Sequence, residues 1–220
     1  MNHLKQFITS PQFIEFSTKN PKSKKEIISF LTKFYSDYST LSGIKETYKK
    51  LAESTMGTDK FSMKWFNFLS QIRCINFLLE QKYNVQALEA AKGNKQLDFL
   101  LADGRFGDVK SFSATTTKKE AWSWDEYVLK EFRDKKLIPA FTKQGADVVI
   151  IDDVFSDYGD QYGLLIYFLS FINDNEAEER KKLVKSLLGP YLPKLLILSF
   201  VKSLTRNPLV RFKGKEFDIS

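Results

Sequence analysis

Histidine and cysteine are nearly missing from this chain: among 220 residues there is one of each. The lone thiol, Cys74, excludes an intramolecular disulfide framework and a zinc site built from several thiolates, and it fits a reducing, cytoplasmic interior. The lone imidazole, His3, stands at the extreme N-terminus. Ser/His/Asp and Cys/His catalysis are therefore not expected, and acid-base chemistry falls to carboxylates, lysines or metal-activated water. Long apolar runs are missing as well. The longest, at 164–172 and 195–201, fall short of the roughly 18 residues that span a bilayer, and no charged-then-apolar signal opens the chain, so no membrane partner is expected. No Gly-rich phosphate loop and no internal repeat is visible.

What is present is a sizeable apolar fraction and an excess of positive charge. A hydrophobic content of 43% is enough to build a full core. Lys and Arg number 34 against 27 Asp and Glu, giving a formal charge of +7 and a field that favours a polyanionic partner such as nucleic acid.

Hydrophobic periodicity organises the chain. Residues 1–58 read as a lysine-rich and aromatic-rich helical region, with Ile27, Ile28, Leu31, Phe34, Tyr35 and Tyr38 at helical spacing. Pro21, Ser23 as N-cap and Glu26 predict a helix start, and the Gly57 stretch predicts a soft boundary, leaving 59–220 as the main domain. From 64 to 81, apolar residues recur every three or four positions, which predicts an amphipathic helix. A short strand at 85–88 and a polar loop with Gly93 and Asn94 follow. Then 97–101 and 106–112 flank Asp103-Gly104, a β-hairpin signal. Residues 124–135 read as helix, 146–151 as a buried strand, 177–188 as helix ended by Gly189-Pro190, and 194–201 as a last strand. The class expected is α/β.

The chemistry concentrates on the hairpin. Asp98 precedes Asp108 by ten residues, and Lys110 follows Asp108 by two. Strand side chains alternate faces, so Asp108 and Lys110 point the same way while Val109 points the other. Two carboxylates supply hard oxygen ligands for Mg²⁺ or Mn²⁺, and a lysine can stabilise charge on a phosphoryl group or orient the attacking water. No histidine is needed.

Gln96-Leu97-Asp98, the hairpin and Asp108-Val109-Lys110-Ser111 resemble the PD-(D/E)xK nuclease superfamily, and the order helix, three-stranded meander, helix, strand over 64–151 resembles its restriction-endonuclease-like core. The local pattern is most similar to archaeal Holliday-junction resolvases and some type II restriction enzymes. The resemblance implies a mixed sheet flanked by helices and Mg²⁺-dependent hydrolysis of double-stranded DNA, with Asp98, Asp108 and Lys110 catalytic and the two aspartates holding the metal. It also suits a homodimer cutting two strands. Position 108 is Asp where Glu is commoner in the family. Where many members carry a glutamate on the first helix, this chain has Gln71; Glu80 or Glu89 could replace it.

Lys95, Lys118 and Lys119 are candidate contacts to backbone phosphates. Lys22, Lys24 and Lys25 read as a solvated helix start, Trp122, Trp124 and Tyr127 as packing residues, and Asp152, Asp153, Asp157 and Asp160 as a polar loop. A second expectation stands beside the nuclease: a catalytically inactive nucleic-acid-binding or assembly protein of the same fold.

Overall fold

The computed structural model of the chain describes residues 2–56, 64–112, 129–153, 178–200 and 208–217. It is of mixed α/β class, with both parallel and antiparallel strand pairs. Two compact units meet in sequence between Phe106 and Gly107. Residues 57–63, where composition suggests a boundary, lie outside the described residues.

The first unit contains α1 (Asn2–Ile8), α2 (Pro11–Lys19), α3 (Pro21–Asp37), α4 (Ile44–Glu53), α5 (Trp65–Glu80), β1 (Val85–Lys92) and β2 (Lys95–Leu101). The Ser10 hydroxyl caps α2 by accepting from the Phe13 N–H at 3.3 Å. Helix α3 begins at Pro21 rather than at the expected Ser23 cap. Proline lacks the N–H that a first helical residue would leave unbonded, and its fixed φ already suits the turn. Trp65, 1% exposed, opens α5 and takes the rings of Phe16, Phe7 and Phe13 edge-on at centroid distances of 5.2, 5.6 and 5.8 Å. The N-terminal helices are thereby packed onto α5 by aromatic area.

Between α3 and α4 the buried Tyr48 hydroxyl donates to the Leu31 carbonyl at 2.5 Å. Burial pushes this phenol far above its usual range. Helix α4 meets β1 through Gly43, whose φ is +82° and whose missing Cβ would stand 1.9 Å from the Leu88 carbonyl oxygen. The Leu88 N–H donates to Ser42 at 2.8 Å beside it. Only glycine permits this approach.

Strands β1 and β2 pair antiparallel, from Val85↔Leu101 to Lys92↔Lys95. Gly93 and Asn94, expected within a polar loop, form a two-residue turn, with Gly93 at φ +62°. β1 runs four residues beyond the expected 85–88.

The second unit contains β3 (Phe106–Phe112) from Gly107 onward, β4 (Val148–Asp153), α6 (Glu178–Leu188), β5 (Leu195–Ser199) and β6 (Leu209–Lys213). β4 lies between β3 and β5, parallel to both, and β6 closes antiparallel to β5. This explains the unbroken apolar run of Val148 to Ile151, all 0% exposed: a central parallel strand is covered on both faces. β4 also takes in Asp152 and Asp153, which composition places in a loop; Asp157 and Asp160 lie outside the described residues.

The helix expected to end at 135 continues instead to Gln144, with π-wound turns at Arg133–Leu137 and Pro139–Gln144. Pro139 has no N–H and crowds the carbonyl four residues back, and wider winding relieves both. Gly145, at φ +76°, ends it. Among the described residues, no helix is long and apolar enough to cross a membrane.

Candidate functional site

The expected site residues are distributed over both units. Asp98 belongs to the first, Asp108 and Lys110 to the second.

In the second unit, alternation along β3 acts as the spacing predicts. Asp108 is 3% exposed, and the Lys110 ammonium lies 2.7 Å from its Oδ2. The approach is an ion pair without hydrogen-bond alignment, so among the described residues the buried Oδ2 accepts no hydrogen bond. Such a group is costly in a protein interior unless something else meets it. The parallel register pairs Asp108 with Val149 and Lys110 with Ile151; Asp152 pairs with Ser111 and so takes the opposite face, away from this ion pair.

Lys136, on the π-wound turn Arg133–Leu137, was not singled out by the sequence because the helix was expected to stop one residue earlier. It is half-buried, and its ammonium is held below its ordinary value first by burial and then by the positive charge of Lys110. Lys136 thus adds a second positive charge near Lys110.

In the first unit, Asp98 is half-buried on β2. Leu88 pairs with Phe99 and Ala90 with Leu97, which sets Glu89 across from Asp98. Glu89 and Gln71, the two accessory candidates, bond to each other: the buried Gln71 amide, carried by α5, donates to Glu89 Oε1 at 3.0 Å. Lys50 of α4 donates to Glu89 Oε2 at 2.5 Å and to Gln96 Oε1 at 2.9 Å, and Gln96 donates to the Glu89 carbonyl at 3.3 Å. Gln96 and Asp98 are two apart on β2 and share a face. Among the described residues of this set Lys50 carries the charge opposite to Glu89, and nothing in its local sequence marks it for that role.

Of the phosphate-contact candidates, Lys95 is exposed at the start of β2, while Lys118 and Lys119 lie outside the described residues. The hairpin turn is closed by the Leu101 N–H donating to Arg105 at 2.9 Å, with Gly104 at φ +86°. Asp103 is held low in pKa by the Arg105 side chain that bonds it, which makes this pair a feature of the turn.

Among the described residues no group of three or more His, Cys, Asp or Glu side chains stands ready to hold a metal ion. The donor chemistry at Asp108 nonetheless fits a hard cation, because a buried carboxylate oxygen without a hydrogen bond is the type of ligand that Mg²⁺ or Mn²⁺ selects. Comparison with known protein families, with curated proteins and with solved structures returns no match.

Proposed function

We propose that the chain is a metal-dependent endodeoxyribonuclease acting on double-stranded DNA, of the kind represented by type II restriction endonucleases and related defence or repair nucleases, with Asp98, Asp108 and Lys110 as its catalytic residues. The observation that carries this reading is the buried Asp108 oxygen, with the Lys110 ammonium 2.7 Å away on the same face of β3. The resemblance of Asp98 through Lys110 to the PD-(D/E)xK pattern and the charge of +7 support it.

Asp98 and Asp108 would hold Mg²⁺, for which Mn²⁺ can substitute, with Glu89 and Gln71 as accessories. When bound, the ion supplies electrophilic polarisation of the phosphodiester and acidifies water. Lys110 neutralises charge building on the phosphoryl oxygens and orients the attacking water. Lys136 adds to the same positive field, and Lys95, Lys118 and Lys119 hold the nucleic-acid backbone. A homodimer would present two such sites to two strands.

Plasmid cleavage with Mg²⁺ or Mn²⁺ tests the reading. Asp108→Ala and Lys110→Ala are each expected to lower the rate by at least about a hundredfold, as loss of a transition-state contact does. Cleavage that survives both substitutions would exclude this site. The second reading, an inactive nucleic-acid-binding or assembly protein, is favoured by the lack of a three-acid group among the described residues. Its mark would be salt-sensitive DNA binding without cleavage in either metal.

A further inference from the structure

Lys130, Lys135 and Lys143, on the helix that ends at Gln144, are exposed to solvent. Lys136 on the same helix is placed differently. It stands four residues after Phe132 and four before Ala140, both 0% exposed, and so shares their row along the buried side of the helix. Wider winding keeps residues four and five apart in line. A half-buried ammonium in such a row is costly unless an opposite charge meets it. Among the described residues no carboxylate lies within ion-pair distance of Lys136, and the nearby Glu131 is already bonded by Lys135 at 2.6 Å. The charge near it on β3 is a like one, Lys110, whose ammonium is paired with Asp108 at 2.7 Å. Two ammoniums and one carboxylate leave a positive charge unmatched.

We propose that Lys110 and Lys136 form a phosphate-binding subsite in the second unit, with one phosphate group bridging the two ammoniums. A phosphate presents negatively charged oxygens in several directions and can accept from both lysines at once, which replaces their mutual repulsion by attraction. The wider winding of the helix is what brings a lysine of its buried row to that position. That the phosphate belongs to a nucleic-acid backbone rests on the nuclease reading; a free phosphate group has the same chemistry, and the two sources are separated below.

The test is the melting temperature of the full chain in inorganic phosphate against chloride, at equal pH and ionic strength and without metal ion, beside Lys136→Met, Lys136→Arg and Lys143→Met. Phosphate is expected to raise the melting temperature of the unaltered chain and of Lys143→Met, as a ligand of the folded state does. Lys136→Met should lose most of that rise, and Lys136→Arg, which keeps the charge, should restore it. No rise in the unaltered chain, or a rise that Lys136→Met keeps, overturns the subsite and leaves the nuclease reading to its own cleavage assay. In a second arm, double-stranded DNA is titrated without metal ion over a range of salt. Loss of one backbone contact in Lys136→Met should lower the slope of log affinity against log salt by about one. A slope left unchanged while the phosphate response is lost assigns the subsite to a free phosphate group. Absence of metal-dependent cleavage with the phosphate response intact removes the nuclease reading and keeps the subsite.

Discussion

Glu89 in the first unit and Asp108 in the second are both carboxylates with almost no exposed surface, on strands, each within reach of a lysine. Their surroundings differ. Glu89 accepts from Lys50 and from Gln71, and even its backbone carbonyl is met by Gln96. Among the described residues Asp108 has one ammonium, paired with it by charge without a hydrogen bond, and that ammonium is in turn repelled by a second lysine. The first arrangement is complete in itself. The second leaves a buried carboxylate oxygen with an ion pair but no hydrogen bond among the described residues, a condition common at residues kept for a ligand or a reaction.

The hardest way to break this contrast is to undo what seats α4. Gly43→Ala forces a Cβ into the Leu88 carbonyl at a φ of +82°, which costs about 3 kcal/mol in urea unfolding and draws Lys50 away from Glu89. A cost under about 0.5 kcal/mol would show that α4 is not pinned there. Next in size is a matched pair of charge removals. Glu89→Gln replaces an ionised acceptor of two bonds and strands Lys50, so a loss of about 2 kcal/mol is expected. Asp108→Asn removes a charge that accepts fewer bonds but also leaves Lys110 without its partner, so a smaller loss of about 1 kcal/mol is expected, together with loss of the proposed cleavage. Equal losses at the two positions would erase the distinction between them.

Much of the fold was legible because it follows local rules. The helix at 64–81 shows itself as a 3.6-residue period and forms as Trp65–Glu80; the Asp103-Gly104 turn shows itself by residues that tolerate left-handed backbone, and the polar Gly93-Asn94 loop tightens into a turn. That Asp108 and Lys110 share a face follows from strand alternation alone. The rest depends on approaches between distant segments. Lys50 and Glu89 are 39 residues apart, and nothing local to α4 marks Gly43 as the point where β1 touches it. β6, Leu209–Lys213, carries too few apolar residues in alternation to announce itself, and it forms by pairing with β5. Lys136 lies one residue beyond the helix expected at 124–135, which continues through Pro139 by wider winding.

The smallest expected effect, and the finest test of the contrast, is at Lys136. Burial first and Lys110 second hold its ammonium below the ordinary 10.5, and Glu131 only partly opposes them. A base with a depressed folded value binds fewer protons folded than unfolded across that window. Stability therefore carries a penalty at neutral pH that is relieved as pH rises toward 10.5. Lys136→Met removes the charge at similar length. Its melting temperature is expected to rise slightly at pH 7, by less than about 1 kcal/mol in free energy because the half-exposed ammonium is screened by water. The gain should shrink as the pH is raised, as the unaltered lysine loses its own proton. A melting temperature that falls on substitution, or a gain that grows with pH, would mean that Lys136 is held by attraction, and the repulsion between Lys110 and Lys136 would have to be redrawn.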